Sequence, residues 1–225
     1  MWMPRIAVLL CLLFPWALQC AAQTTPPAAA PPSNVNKPRV NWLYGAYVPR
    51  DIPLVTMNTA ERGRLFIAQS FVAPGIYIKT GFFAVWDQIH NEPPEWGSGP
   101  SGFGKRAASH HAESIIQYSI STVGNSVLGY EPRYDQCKCI GGWNRFRHAV
   151  SRNFVTYNRT EKERRPQIAM YGAAFASGAI TTVWKPAQLN PVSNGASGVW
   201  NQAIWGTLTN LVGEFAPEIK RILKF

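Results

Sequence analysis

Residues 168–184, IAMYGAAFASGAITTVW, contain no charged side chain and are dominated by alanine and glycine. Small residues recur four positions apart, as at Gly172 and Ala176 and again at Ala174 and Gly178. This spacing lets two helix backbones approach closely. The stretch therefore predicts a buried helix that packs tightly against another helix. Because 17 uncharged residues are near the lower limit for crossing a bilayer, a membrane helix is the alternative interpretation.

The segments on either side of this stretch also have helical periodicity. Downstream, a helix is predicted from about 199 to 223, with one apolar side made of Trp200, Ile204, Leu208, Leu211, Phe215, Ile219 and Ile222. Upstream, residues 142–157 predict an amphipathic helix whose apolar face contains Phe146, Val150, Phe154 and Tyr157. We expect the small-residue helix to pack against the apolar side that runs from Trp200 to Phe215.

The N-terminal half of the expected mature region predicts further helices. Asn58-Thr59-Ala60-Glu61 matches a capping box, and helical spacing continues to about His90, with a break or kink at Pro74-Gly75. After a proline- and glycine-rich loop at 91–104, a helix is predicted for 105–128, ended by Gly129. The apolar stripe of this helix consists of Ala108, Ala112, Ile115, Ile116, Ile120, Val123 and Val127.

Together these segments predict an all-α chain in which residues 41–225 form a single bundle-like domain of several helices. In such a bundle the apolar stripes face one another, and the polar faces are exposed to water. About 180 residues are enough for one domain with a substantial core.

The first 22 residues have the pattern of a secretory signal peptide. Arg5 precedes an uncharged apolar run from Ile6 to Leu18, and Cys20-Ala21-Ala22 supplies small residues for cleavage before Gln23. Residues 23–40 are rich in proline and alanine and predict a disordered linker. The mature protein is therefore expected outside the cytosol, in the periplasm or associated with the outer membrane.

Basic residues are concentrated between positions 133 and 165. Nine lysines and arginines lie there with three acidic residues, and removal of the signal peptide leaves 21 basic minus 12 acidic residues, a net charge of +9. After export, the polyanions that such a strip attracts are anionic lipids or envelope polysaccharides rather than nucleic acid. The candidate binding residues are Arg133, Arg145, Arg147 and Arg152, with Trp143 at the interface. The alternative is a solvated face that only aids solubility.

Two cysteines, Cys137 and Cys139, remain after cleavage. In an oxidising compartment they form a small local disulfide or stay as two free thiols. Two thiols alone cannot complete a four-ligand zinc site. Neither a metal nor an organic cofactor is predicted.

Two segments contain residue types that are common in catalytic sites, but neither has the spacing that the corresponding site requires. Residues 99–105, GPSGFGK, match the outline of a phosphate-binding loop, but Arg106 occupies the position of the magnesium-binding Ser or Thr. His110, His111 and Glu113 lie within one helical turn, whereas a helical zinc hydrolase requires two histidines four residues apart. A hydrolase that acts on an envelope polymer through these three residues is the enzymatic alternative.

Several short motifs follow one another from about Phe82 to the C-terminus. They are Trp96-Gly97, Gly104-Lys105-Arg106, Pro132-Arg133-Tyr134, Trp143-Asn144-Arg145 and His148-Ala149-Val150-Ser151-Arg152. In their order and spacing the chain resembles a family of uncharacterised exported bacterial proteins. The resemblance implies export and a helical fold, and it transfers no catalytic residue. The charged turn at 158–165 and the cysteine pair depart from the family pattern.

These observations favour an exported, non-enzymatic structural or binding protein that associates with an anionic envelope surface. Besides the hydrolase, an integral membrane protein is a second alternative, with residues 65–86 and 168–184 as membrane helices. Lys79, Gln69 and Ser70 lie within the first of these segments and argue against it.

Overall fold

The computed structural model describes residues 40–41, 45–158, 163–186 and 190–223. These residues belong to a unit that extends from Asn36 to Phe225. The predicted signal peptide and residues 23–39 of the predicted linker lie outside the described residues.

Helices make up most of the described chain. α1 (Thr59–Ile67) leads into a π-helical turn (Ala68–Val72), and α2 (Pro74–His90) and α3 (Pro100–Val127) flank a loop that contains one 3-10 turn (Pro94–Trp96). The C-terminal half contains α4 (Gly142–Phe154), α5 (Ile168–Thr181), α6 (Pro191–Glu214) and α7 (Ala216–Leu223). The prediction of an all-α fold with bundle-like packing is confirmed.

Short strands connect these helices in the described part of the chain. β1 (Val40–Asn41) pairs antiparallel with β2 (Gly45–Val48), which pairs parallel with β3 (Tyr134–Asp135). β4 (Val155–Tyr157) and β5 (Arg164–Pro166) pair antiparallel on either side of the predicted charged turn, of which residues 159–162 are not described. β4 replaces the end of the helix predicted for 142–157, because its β-branched residues favour the extended backbone that pairs with β5.

Local sequence signals explain where several helices begin. Asn58 caps α1: its Oδ1 accepts from the Glu61 backbone N–H at 2.9 Å, and the Glu61 carboxylate accepts from the Asn58 N–H at 2.9 Å. Pro74, Pro100 and Pro191 stand at the start of α2, α3 and α6, since proline fits the first helical turn but lacks an N–H to continue a preceding helix. The helix predicted for 199–223 therefore begins earlier than expected, at Pro191. It is also divided into two helices, α6 and α7.

α5 packs against α3 and α6, while α2 packs against α3 and α4 against α6. α5 and α6 approach very closely. A Cβ atom on Gly178 would lie 2.5 Å from the Asn194 carbonyl oxygen, and one on Gly198 would clash with the Ala174 carbonyl oxygen. The close approach predicted for Ala174 and Gly178 is present. In contrast, Gly172 faces open space.

The partner of α5 is the glycine-rich start of α6 rather than the apolar stripe predicted for it. Gly195 and Gly198 are buried in the contact, whereas Trp200, Ile204 and Leu208 are 67%, 53% and 48% exposed. The expectation that α5 covers this stripe is wrong, because small residues allow the backbones to meet only where both helices lack large side chains.

The face of α3 that packs against its neighbours is polar. Its buried residues are Gly102, Arg106, Ser109, Ser114, Gln117, Ser121 and Asn125. Of the predicted apolar stripe, Val123 and Val127 are 64% and 80% exposed. The expectation that apolar stripes face one another is therefore wrong for α3. Polar groups can be buried there because neighbouring helices satisfy them, as in the 2.7 Å hydrogen bond from Gln117 to Gln202.

α4 likewise buries polar side chains and exposes apolar ones. Arg145, Ala149, Arg152 and Asn153 are buried, whereas Phe146 and Phe154, predicted for the apolar contact face, are exposed. The one cluster of buried apolar side chains in the described part of the chain is small and consists of Ala46, Met57 and Leu65. Most large apolar side chains of the helices thus lie towards the outside.

Candidate functional site

Arg106 holds the loop between α2 and α3. Its side chain is fully buried and donates to the backbone carbonyls of Glu92, Pro93 and Gly97 at 2.7, 3.0 and 2.6 Å. It also donates to two side-chain amide oxygens at the end of α2. Gly102 leaves the space for this arrangement, since a Cβ atom there would clash with the Gly97 carbonyl. Arg106 of the Gly-Lys-Arg motif thus fixes the loop that carries the Trp-Gly motif.

Arg133 and Arg152 are buried beside carboxylates. Arg133 Nε lies 2.7 Å from Glu131 Oε1, and Arg152 Nε lies 2.5 Å from Asp135 Oδ1. Arg152 also donates to the Arg133 carbonyl at 3.0 Å, and its guanidinium lies 4.6 Å from the centre of the Tyr157 ring. These contacts attach α4 to the segment that follows α3.

Glu214, at the end of α6, is the centre of a third buried network. Its carboxylate accepts from the Tyr134 hydroxyl at 2.6 Å, the Cys137 backbone N–H at 2.9 Å and Arg145 Nε at 3.0 Å. Arg145 also pairs with Glu218 of α7, and this contact lowers the pKa of Glu218. Burial, together with the hydrogen bond to Glu214, raises the pKa of Tyr134, so the phenol stays a neutral donor. The network joins α4, α6 and α7.

The predicted binding site for an anionic surface is not assembled. Arg133, Arg145 and Arg152 are only 6%, 9% and 5% exposed, and each is paired with a carboxylate. The prediction that they contact lipid or glycan is wrong, because a buried guanidinium with its own carboxylate partner has no free charge to offer outside. Arg147 and Trp143 are exposed, so these two predicted residues do lie on the surface.

Cys137 and Cys139 form a disulfide. Cys137 is buried next to Glu214, and Cys139 is half-buried. The bridge closes a short turn in the segment that leads to α4. Within the described ranges, no group of three His, Cys, Asp or Glu side chains is placed to hold a metal ion.

An open groove of about 880 Å³ lies between α2, the loop after it and α6. At its wall, His110 Nε2 and Asp87 Oδ2 form a 2.7 Å hydrogen bond, and Glu113 Oε2 lies 3.8 Å from Lys185 Nζ. The groove also has aromatic walls, which include Trp86, Trp96, Trp200 and Trp205. His111 does not line this groove and stacks instead on Tyr77. The structure thus separates His111 from the other two residues of the predicted trio.

Large apolar side chains are exposed on the outer faces of the helices. Each of the seven helices carries at least one exposed large apolar side chain, and α2 alone exposes Tyr77, Ile78, Phe82, Val85, Trp86 and Ile89. On α2, α3, α5 and α6, every residue of which is described, Lys105 is the one exposed charged side chain. We call the exposed apolar side chains of these four helices the apolar surface. No described helix has both the length and the hydropathy that crossing a bilayer requires.

Five buried charged residues were not predicted as structural centres: Arg62, Lys79, Arg106, Glu131 and Glu214. Glu131 and Glu214 hold the arginines described above, and Lys79 is buried in the middle of α2. The sequence does contain a signal for two of them: Lys79 is the one charge between Arg64 and Asp87, and Glu214 is the first charge after Lys185. An isolated charge of this kind, when it lies inside a helix, indicates a specific interior partner or ligand.

The chain matches no protein-family model, no curated protein and no solved structure. The resemblance to exported bacterial proteins stays a prediction that rests on the quoted motifs.

Proposed function

We propose that this protein is a membrane-associated structural or binding protein that places its apolar surface in the acyl region of a lipid bilayer. The observation that carries the proposal is the orientation of the helix faces. On α2, α3, α5 and α6, most polar side chains are buried or half-buried and the exposed side chains are mainly apolar. The exposed polar side chains are His90, Ser101, Lys105, Ser193 and Ser197, of which Lys105 is the one exposed charge. Exposure to water costs about 25 cal/mol per Å² of apolar area. Monomers in water rarely expose apolar patches above a few hundred Å².

A bilayer fits this surface better than a single protein partner does. A typical partner covers about 800 Å² on one side of a protein. Here the exposed apolar residues are distributed over several helices, as shown by Ile89 of α2, Val127 of α3 and Phe175 of α5. A fluid apolar phase can contact all of these helices at once. Close small-residue packing and hydrogen bonds between helices, both present here, also stabilise helices in membranes.

An envelope location fits the same proposal. The predicted signal peptide directs export, and a Cys137–Cys139 disulfide is favoured in an oxidising compartment. On the exposed face of α4, Trp143 stacks on Phe146 at 5.4 Å between ring centres, and Arg147 is exposed beside them. An aromatic ring with a neighbouring arginine is the pattern of contact with lipid headgroups. We therefore propose the periplasmic side of an envelope membrane as the site of action.

Flotation of the mature protein with vesicles tests the proposal. Ile78, Val85 and Ile89 lie on the exposed face of α2 and line neither the groove nor the cavity between α2, α4 and α6. Changing all three to serine removes apolar contact worth about 1 kcal/mol each, so binding to uncharged vesicles should weaken about 100-fold. The matched control changes the exposed Lys105, Lys138 and Arg147 to glutamine and should leave that binding unchanged.

Three results would overturn this proposal. The first is a wild-type protein that does not float with vesicles, and the second is a triple-serine variant of unchanged helicity that floats as well as wild type. The third is a discrete oligomer in lipid-free buffer that the triple-serine substitution converts to a monomer, since a second copy of the chain would then cover the apolar surface.

A second candidate function is hydrolysis of an envelope polymer in the groove. The hydrogen bond between His110 and Asp87 favours it, because a carboxylate beside an imidazole can orient a general base. If this function is present, His110→Gln and Asp87→Asn should each abolish the release of soluble fragments from purified envelope polymer. A wild-type protein that releases no fragments would remove this candidate.

A further inference from the structure

A cavity of about 140 Å³, partly open to solvent, lies between α2, α4 and α6. Its charged lining residues are Lys79, Arg133 and Arg152, and no Asp or Glu is found among the described residues that line it. A cavity of this size has room for a group of several non-hydrogen atoms. The wall is therefore polar and positively charged.

Only one of these three cations is not directly paired with a carboxylate. Arg133 and Arg152 are paired with Glu131 and Asp135. Lys79 is only 9% exposed, and no carboxylate of the described chain lies within ion-pair distance of it. A buried ammonium without a direct ion pair is unfavourable, and burial lowers the pKa of Lys79, an effect that the charge of Glu113 partly offsets. The nearest aromatic contact is the Tyr118 ring, whose centre lies 5.9 Å from Lys79 Nζ.

Side-chain amides add free hydrogen-bonding groups to the same wall. Gln202 uses its Oε1 to accept from Gln117 at 2.7 Å, and its NH₂ group has no acceptor among the described residues. Gln167 Oε1 is buried without a hydrogen-bond partner in this part of the structure. The cavity thus offers a cation, an amide donor and an amide acceptor to a small molecule.

We propose that this cavity binds a small carboxylate anion, which pairs with the Lys79 ammonium and accepts a hydrogen bond from the Gln202 amide. Lys79 is the one cation of the wall without a direct ion pair, which matches a small monovalent anion. A carboxylate has two oxygens, so it can accept from both donors at once. A hydroxyl on the bound acid would donate to Gln167 Oε1. This binding site is independent of the proposed membrane contact.

Thermal unfolding of the full mature protein in a nonionic detergent tests the site without any vesicle. Sodium acetate replaces sodium chloride at constant ionic strength, and the midpoint of unfolding should rise in a saturable manner. Lys79→Met should weaken the acetate response at least about tenfold, since a charge-assisted hydrogen bond is lost. Lys105→Met, at the exposed lysine outside the cavity, should leave the response unchanged.

A second variant covers the case in which Lys79→Met does not fold. Gln202→Glu places a carboxylate where the ligand would bind, so it should raise the unfolding midpoint without acetate and abolish the acetate response. The proposal is overturned by a wild-type protein with no saturable response, by a Lys79→Met or Gln202→Glu variant that responds as strongly as wild type, or by chloride that stabilises as well as acetate. Because no lipid is present, these results do not depend on whether the protein binds vesicles.

Discussion

At the scale of single residues, the interior is held together by buried charges whose partners are often distant in sequence. Arg145 and Glu214 are 69 positions apart, yet Arg145 Nε donates to the Glu214 carboxylate at 3.0 Å. Arg106 is satisfied by loop carbonyls instead of by an acid. Such partners cannot be read from local spacing, so the basic strip of the sequence resembles a surface feature although three of its arginines are buried.

Glu214 should be much more important for stability than an exposed acid. Glu214→Gln removes the negative charge that compensates Arg145 in a buried site, so the free energy of unfolding should fall by about 3 kcal/mol. Glu163, whose exposed carboxylate lies 2.9 Å from Arg165, is the matched control, and Glu163→Gln should change stability by about 0–1 kcal/mol. Denaturant unfolding measures both values. Equal losses in the two variants would contradict the buried network.

The buried lysine predicts a specific pH dependence of stability. Desolvation lowers the folded-state pKa of Lys79 below its ordinary 10.5. Between the two pKa values the unfolded chain binds more protons than the folded protein, so the stability contribution of this residue rises with pH. Lys79→Met removes the penalty. In carboxylate-free buffer, the variant should therefore exceed wild type in stability below the lowered pKa, and the difference should shrink towards pH 10.5.

A wild-type and variant pair whose stabilities differ by a constant amount across that pH range would contradict a buried ammonium whose pKa is lowered by desolvation. Unfolding by denaturant at a series of pH values supplies the measurement, because it reports the free energy for both proteins at each pH.

At the scale of helices, the sequence predicts where elements lie better than how they face. The capping box at Asn58 and the break at Pro74 are both present, since caps and prolines act on the local backbone. Periodicity, in contrast, shows which residues share a face of a helix but not which face is inside. In α3, Ser121 is 4% and Val127 is 80% exposed. The sequence pattern alone is compatible with either orientation.

The contact between α5 and α6 should depend on the absence of a side chain at Gly198. Gly198→Ala places a methyl group against the Ala174 carbonyl, so the helices must separate and the free energy of unfolding should fall by about 1–3 kcal/mol. Gly172→Ala is the control, because no neighbouring atom lies within 4 Å of a Cβ atom there. It should be neutral or stabilising by up to about 1 kcal/mol, through helix propensity. A control that loses as much stability as Gly198→Ala would refute this contact.

At the scale of the whole molecule, the amino-acid composition does not reveal that large apolar side chains are exposed while polar ones are buried. Hydrophobic residues make up 46% of the chain, which is a common value for proteins that fold in water. The distinction lies in where they are placed, since the buried apolar cluster contains Ala46, Met57 and Leu65 while larger residues remain outside. A sequence does not show which face of a helix is buried, so residues predicted for the contact faces of α3 and α4, such as Val127 and Phe154, are exposed instead.

The placement of the apolar surface in lipid is tested most directly by photolabelling from within a bilayer. The mature protein is bound to vesicles that carry a photoreactive group on the acyl chain, and labelled residues are located by peptide mass spectrometry. Label should be found on exposed residues such as Ile89, Val123 and Val127 and be absent from the buried Ser121 and Asn125 of the same bundle. Label on Ser121 and Asn125, or none on the three exposed residues in vesicle-bound protein, would contradict an apolar surface in contact with lipid.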